Sequence, residues 1–122
     1  MVRRSVLAAA LILSCACSRE GSSSVRLLVA VPITGDMAAS GQGVERGVRM
    51  AVEDETELGG LPKIEVVVSD DRSDPFEAAA VARRAVGDPQ VFAVIGHLTS
   101  GCAIEASRIY SQAALAMITP SA

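Results

Sequence analysis

The chain is 122 residues long, carries a formal net charge of −3, and contains only three aromatic residues, Phe76, Phe92 and Tyr110. That length admits one domain at most. An acidic balance with no basic stripe and few aromatic rings excludes a nucleic-acid-binding surface.

The first 17 residues have the three-part layout of an export signal: a positive start at Arg3-Arg4, an unbroken apolar run from Val6 to Leu13, and the small residues Ser14-Cys15-Ala16-Cys17. The run is too short for a permanent membrane helix, which needs roughly 20 residues. A signal cut just before a cysteine leaves a thiol that accepts lipid. Cys17 is the expected lipidation site and Cys15 the alternative, although neither has leucine three residues upstream. An ordinary signal cut after Ala16 is the competing reading. Residues 18–24 then form a flexible tether, and residues 25–122 the folded body, attached to the membrane by lipid only. Without Arg3 and Arg4, nine basic residues face 14 acidic ones. Cys102 is the one cysteine left in the body, so this exported chain has no disulfide framework.

Val25 to Val31 is a short apolar, β-branched run that reads as a buried strand. From Gly41 to Leu58, apolar residues recur at Val44, Val48, Ala51, Val52 and Leu58, which predicts a helix stopped by Gly59-Gly60. Lys63 to Ser69 is a second strand. Asp74-Pro75-Phe76-Glu77 is a helix start: Asp74 accepts free amides, Pro75 has none to lose, and Glu77 closes a capping box. That helix runs to Val86, before Gly87 and Pro89. A third strand spans Val91 to Ile95, a third helix Ser100 to Ala113, and a fourth strand Leu115 to Thr119.

The alternation β-α-β-α-β-α-β predicts an α/β fold, a parallel doubly wound sheet with helices on both faces. The chain ends at Ala122, directly after a strand that leaves an unpaired edge. It reads as the front part of a longer protein or as a truncated reading frame.

With strand order 2-1-3-4, the switch point lies between the carboxyl ends of strands 1 and 3, where open α/β sheets bind ligands. Three loops bring hydroxyls there: Thr34 and Ser40 from the nine-residue loop Pro32 to Ser40, Thr99 and Ser100, and Thr119 and Ser121. The start of the third helix offers free amides and a positive dipole end to an anion. Ser100 or Thr99 as a plain N-cap is the competing reading of the same residues.

Other groups point to less. His97, the one histidine, reads as hydrogen-bonded structure rather than catalyst or metal ligand. Asp70-Asp71 lacks a third ligand at useful spacing and reads as a solvated loop with capping roles. Cys102 reads as a small buried hydrophobe. Gly41, Gly43 and Gly47 resemble part of a dinucleotide fingerprint, the basis of an alternative reading as a Rossmann-like nucleotide-binding enzyme fragment. That fingerprint needs its first glycine at the strand end, whereas Gly41 lies ten residues past Val31. No catalytic, metal or cofactor site is expected.

Val31-Pro32-Ile33-Thr34-Gly35, Gly41 and Gly43, Asp70-Asp71 with Asp74-Pro75, Val94-Ile95-Gly96-His97, and Met117-Ile118-Thr119-Pro120-Ser121-Ala122 occur in this order. From Val25 to Ala122 the sequence resembles the first lobe of the branched-chain amino-acid binding proteins, which are type I periplasmic binding proteins. The resemblance implies a non-catalytic, extracytoplasmic receptor that closes on an amino acid and hands it to the membrane permease of an ABC importer. It also implies that Ser100, beside Thr99 and the helix-start amides, binds the α-carboxylate. The carbonyl of Ser121 takes the α-ammonium, and the chain around Ala122 completes the site. Ser40 stands where the family often places an aromatic wall, which weakens the case for leucine, isoleucine or valine. The positions of a disulfide found in some members are Ser73 and Thr99 here. A ligand-sensing domain of the same fold is the other alternative.

Overall fold

The computed structural model describes residues 24–59 and 63–121; the signal, both amino-terminal cysteines, most of the tether and Ala122 lie outside the described residues. Four strands and three helices alternate: β1 (Val25–Ala30), α1 (Ala38–Glu57), β2 (Ile64–Ser69), α2 (Pro75–Val86), β3 (Val91–Gly96), α3 (Ser100–Gln112) and β4 (Ala116–Ile118). The strands form one parallel sheet in the order β2-β1-β3-β4, as the alternation predicts.

Side-chain alternation along the central strands divides the core in two. Leu28 and Ala30 of β1 and Val94 of β3 point to one face, where Val81, Ala82 and Ala85 of α2 and Ala106 and Tyr110 of α3 cover them. Val29 and Val31 point to the other face, against Val44 and Val48 of α1. These are the apolar positions whose helical spacing marked α1. Only β3 pairs with β4 among the described residues, and Ile118 is 65% exposed, so this side of the sheet ends on an open apolar strand.

The start of α2 is built as its sequence demands. The Asp74 carboxylate accepts from the amides of Phe76 and Glu77, and Pro75 occupies the first turn. Glu77 differs from expectation: its carboxylate accepts from Arg84 instead of closing the capping box. The guanidinium two turns along offers it a charged partner, and the amide it was to meet, Asp74 N–H, donates to the Asp71 carbonyl. Asp74→Ala is expected to cost about 1 kcal/mol, the usual worth of such a cap, read as a lower urea midpoint at unchanged slope.

Helix α1 begins earlier than its periodicity indicates, at Ala38 instead of Gly41. A turn at Gly35, with φ of +76°, reverses the chain after Ile33, and Met37 stands at the cap position with no side-chain bond. The loop after β1 is correspondingly shorter, and Ser40 lies on the first turn of α1. Gly41 falls inside the helix, where a Cβ would stand 1.8 Å from the Pro32 carbonyl oxygen. The glycine is there to let α1 pack on the chain leaving β1. It does not cradle a phosphate at a strand end, so the geometry of the dinucleotide fingerprint is absent.

Candidate functional site

The carboxyl ends of β1, β3 and β4 carry the three loops singled out above, and the structure joins two of them directly. Thr119, just past β4, donates its hydroxyl to the His97 carbonyl at 2.8 Å. Ser121 donates to the Leu98 carbonyl at 3.1 Å. The loop into α3 and the loop out of β4 are thus stitched through their main chain. Ser100 and Thr119 then line one open depression of about 310 Å³ with Ala103, Ile104, Ser107 and Met117.

Thr99 stands at the N-cap of α3 in extended conformation, yet no side chain caps the helix. The first bond of the helix runs from the Ala103 amide to the Thr99 carbonyl, which leaves the amides of Ser100, Gly101 and Cys102 at the open end. Helix α2 makes the contrast plain, because its own Asp74 carboxylate closes it. Plain capping by Thr99 or Ser100 is therefore not what these residues do. Ser100 is exposed and Thr99 half-buried.

The third loop is less involved. Thr34 donates to the Asp70 carboxylate, which also accepts from the amides of Ile33 (3.0 Å) and Arg72 (2.9 Å). Desolvation acts upward on the Asp70 carboxyl, but the Thr34 hydroxyl and these amides outweigh it and hold the group below its ordinary value. Thr34 thus braces β1 against β2 and is not free for a ligand. Ser40, exposed on α1, is outside the depression that Ser100 lines.

Asp71 departs furthest from the sequence reading. Instead of a solvated capping residue it is fully buried, with one oxygen accepting from the Ser73 amide at 3.0 Å and the other 2.6 Å from His97 Nδ1. His97, equally buried, places Nε2 3.3 Å from the Tyr110 hydroxyl. Burial pushes the Tyr110 phenol well above its ordinary value, with Asp71 adding to the effect. The expectation that His97 is hydrogen-bonded structure holds; its partners were not foreseen. Cys102 is buried as expected, and burial likewise pushes its thiol up.

No cluster of His, Cys, Asp and Glu that could hold a metal ion occurs among the described residues. What the site presents is the uncapped amino end of α3 and the hydroxyls of Ser100, Ser107 and Thr119 beside an apolar floor of Ala103, Ile104 and Met117. Those groups suit the capture of a small zwitterion.

Known proteins resemble this chain in sequence and fold. The periplasmic binding protein family matches residues 24–122. The "Amino acid binding protein" of Pseudomonas aeruginosa is 37% identical over 122 residues, covering 98% of this chain and 33% of the relative. The "Leu/Ile/Val-binding protein homolog 2" of Brucella abortus is 40% identical over 104 residues, 82% of this chain and 28% of the relative. Among solved structures, the branched-chain amino acid transporter substrate-binding protein LivJ of Streptococcus pneumoniae, in complex with isoleucine, is similar with a TM-score of 0.73 and 32% identity. It covers 80% of this chain and 29% of that one. The chain therefore spans about a third of the curated relatives it matches, or less. A four-stranded sheet ordered β2-β1-β3-β4, an uncapped α3 at its switch point and a family match over the whole folded body lead to one assignment: this chain belongs to the periplasmic binding protein family.

Proposed function

We infer that the chain is the first part of the amino-terminal lobe of an extracytoplasmic receptor that captures an amino acid for the membrane permease of an ABC importer. The observation that carries this reading is the open amino end of α3 beside the loop that leaves β4. There the amides of Ser100, Gly101 and Cys102 meet a carboxylate, and Ser100 adds its hydroxyl. With the Ser121 hydroxyl turned onto Leu98, the part of Ser121 in ligand binding falls to its carbonyl, which accepts the α-ammonium. Thr99 shapes the turn into this subsite. Ser40 is exposed on α1; Ala122, which the resemblance also assigns to the ligand, lies outside the described residues.

The relatives' names support the ligand class: one is a "Leucine-, isoleucine-, valine-, threonine-, and alanine-binding protein" of Pseudomonas aeruginosa, 37% identical over 103 residues. A small residue at Ser40 favours the smaller side chains of that range. Capture is non-catalytic, since binding and release need no bond to change. Export follows from residues 1–17, with Cys17, or Cys15, carrying the lipid that keeps the receptor at the membrane.

Ser100→Ala in the intact receptor is expected to weaken amino-acid binding by roughly 1.5–3 kcal/mol, the scale of a hydrogen bond to a charged group. Titration calorimetry with L-alanine and L-leucine reads this directly. A dissociation constant equal to that of the unaltered protein removes Ser100 from the site.

A further inference from the structure

His97 holds together the elements that form the site without being on its surface. Its enclosed ring reaches Asp71, beyond β2, and Tyr110, near the end of α3. Its carbonyl receives the Thr119 hydroxyl, and the next carbonyl receives that of Ser121. One residue therefore ties together the ends of β2, β3 and β4 and the last turns of α3. It does so two positions before Thr99, the N-cap of α3.

The hydrogen-bond roles follow from the chemistry of the three groups. Asp71 already accepts the Ser73 amide, and a carboxylate only accepts, so His97 donates from Nδ1. Tyr110 keeps its proton in this buried place and donates it to Nε2. Each buried donor then has an acceptor. Polar chains of this kind are weak sources of stability, because well-packed apolar side chains of the same volume often do as well or better. What they impose is direction, since each bond is lost when the main chain at residue 97 rotates or slides.

We propose that the Asp71–His97–Tyr110 chain is a positioning element of the ligand site, holding residues 97–99 so that the amides of Ser100, Gly101 and Cys102 face the bound carboxylate. The ligand half of this statement rests on the function proposed above; the orientation of the loop does not. None of the three side chains touches the ligand. They act through the main chain.

The test uses the intact protein and three readouts. Two-bond proton–nitrogen NMR correlations, assigned by comparison with His97→Asn, are expected to show His97 protonated at Nδ1; a proton on Nε2 in the unaltered protein overturns the proposal. Amide hydrogen exchange is then compared between variants. His97→Ala is expected to speed exchange at Ala103, whose amide bonds the Thr99 carbonyl, by about tenfold or more beyond its global effect, the loss of roughly one net hydrogen bond to a charged group. His97→Asn, which keeps a donor near the Nδ1 position, is expected to restore most of the protection. Val81→Ala, a cavity in the same core, controls for destabilisation. If it speeds exchange at Ala103 as much as His97→Ala does at equal melting temperature, the role is merely structural and the proposal fails. Should His97→Ala not fold, Tyr110→Phe takes its place, with the same local loosening expected and its absence equally decisive. Calorimetry with L-leucine and L-alanine is expected to show about tenfold weaker binding for His97→Ala and none of that loss for Val81→Ala. If the unaltered protein binds neither amino acid, the proposed function falls while the exchange comparison still decides the role of His97.

Discussion

Gly96→Ala is expected to destabilise the fold by roughly 2–6 kcal/mol. Gly96 ends β3 with φ of +144°, a conformation that residues with a Cβ rarely adopt, and an added Cβ would stand 2.1 Å from the carbonyl oxygen of Ala30. The obstacle cannot retreat. Ala30 is fully buried and pairs with Gly96 in the β1–β3 ladder, so relief on either side breaks the centre of the sheet. Backbone strain of about 1–3 kcal/mol combines with overpacking of a further 1–3 kcal/mol or more. Against a whole-domain stability of about 5–15 kcal/mol, that is a large share of the native margin. Gly47→Ala supplies the opposite sign. It sits mid-helix in α1 with open space around it, so alanine is expected to stabilise by about 0.5–1 kcal/mol. Urea titrations of the two variants read both effects. A Gly96→Ala protein that melts within 1 kcal/mol of the original would show that β1 and β3 do not approach so closely.

The difference between these two glycines was not visible in the sequence, whereas much of the architecture was. Apolar runs between helical patterns gave the element order, and the switch-point rule placed the loops that begin at Thr99 and Thr119 at one end of the sheet. Asp74-Pro75 marked its helix start because the cap chemistry is local, complete within four residues. The start of α1 was hidden for the converse reason: Met37 caps nothing, and Ala38-Ala39 carries no periodicity. The Asp71–His97 pair was hidden by distance. Its members are 26 residues apart, and Tyr110 is a further 13 along. Each taken singly has an ordinary local explanation. The signal that could have joined them is positional: Asp71 and His97 both follow strands that flank β1, so both lie over its carboxyl end. The present partners of the candidate hydroxyls were hidden for a related reason. Thr34, Thr119 and Ser121 stand near the expected crevice, but nearby acceptors in the protein already hold their protons.

Asp70 and Asp71 share one chemistry and are expected to differ severalfold in what they contribute. Asp71→Ala removes a buried carboxylate and leaves the His97 ring N–H and the Ser73 amide without their acceptor. Leaving these two donors without an acceptor costs about 1–3 kcal/mol each. Asp70→Ala removes a half-buried carboxylate whose former partners gain access to solvent, and about 1 kcal/mol is expected. Asp71→Asn falls between them, because its amide oxygen still serves Ser73 while its NH₂ group meets the proton on Nδ1. Chemical denaturation of the three variants at neutral pH gives the order. An Asp71→Ala protein no weaker than Asp70→Ala would mean that the 2.6 Å contact to His97 does not bear on stability. Replacing all three members, as Asp71→Leu with His97→Leu and Tyr110→Phe, is expected to recover part of what Asp71→Ala loses, because the Ser73 amide is then the one donor left without its Asp71 acceptor. Such a protein would fold and yet hold residues 97–99 loosely. Stability and ligand affinity would then separate in one variant, as they must if the buried chain serves direction more than cohesion.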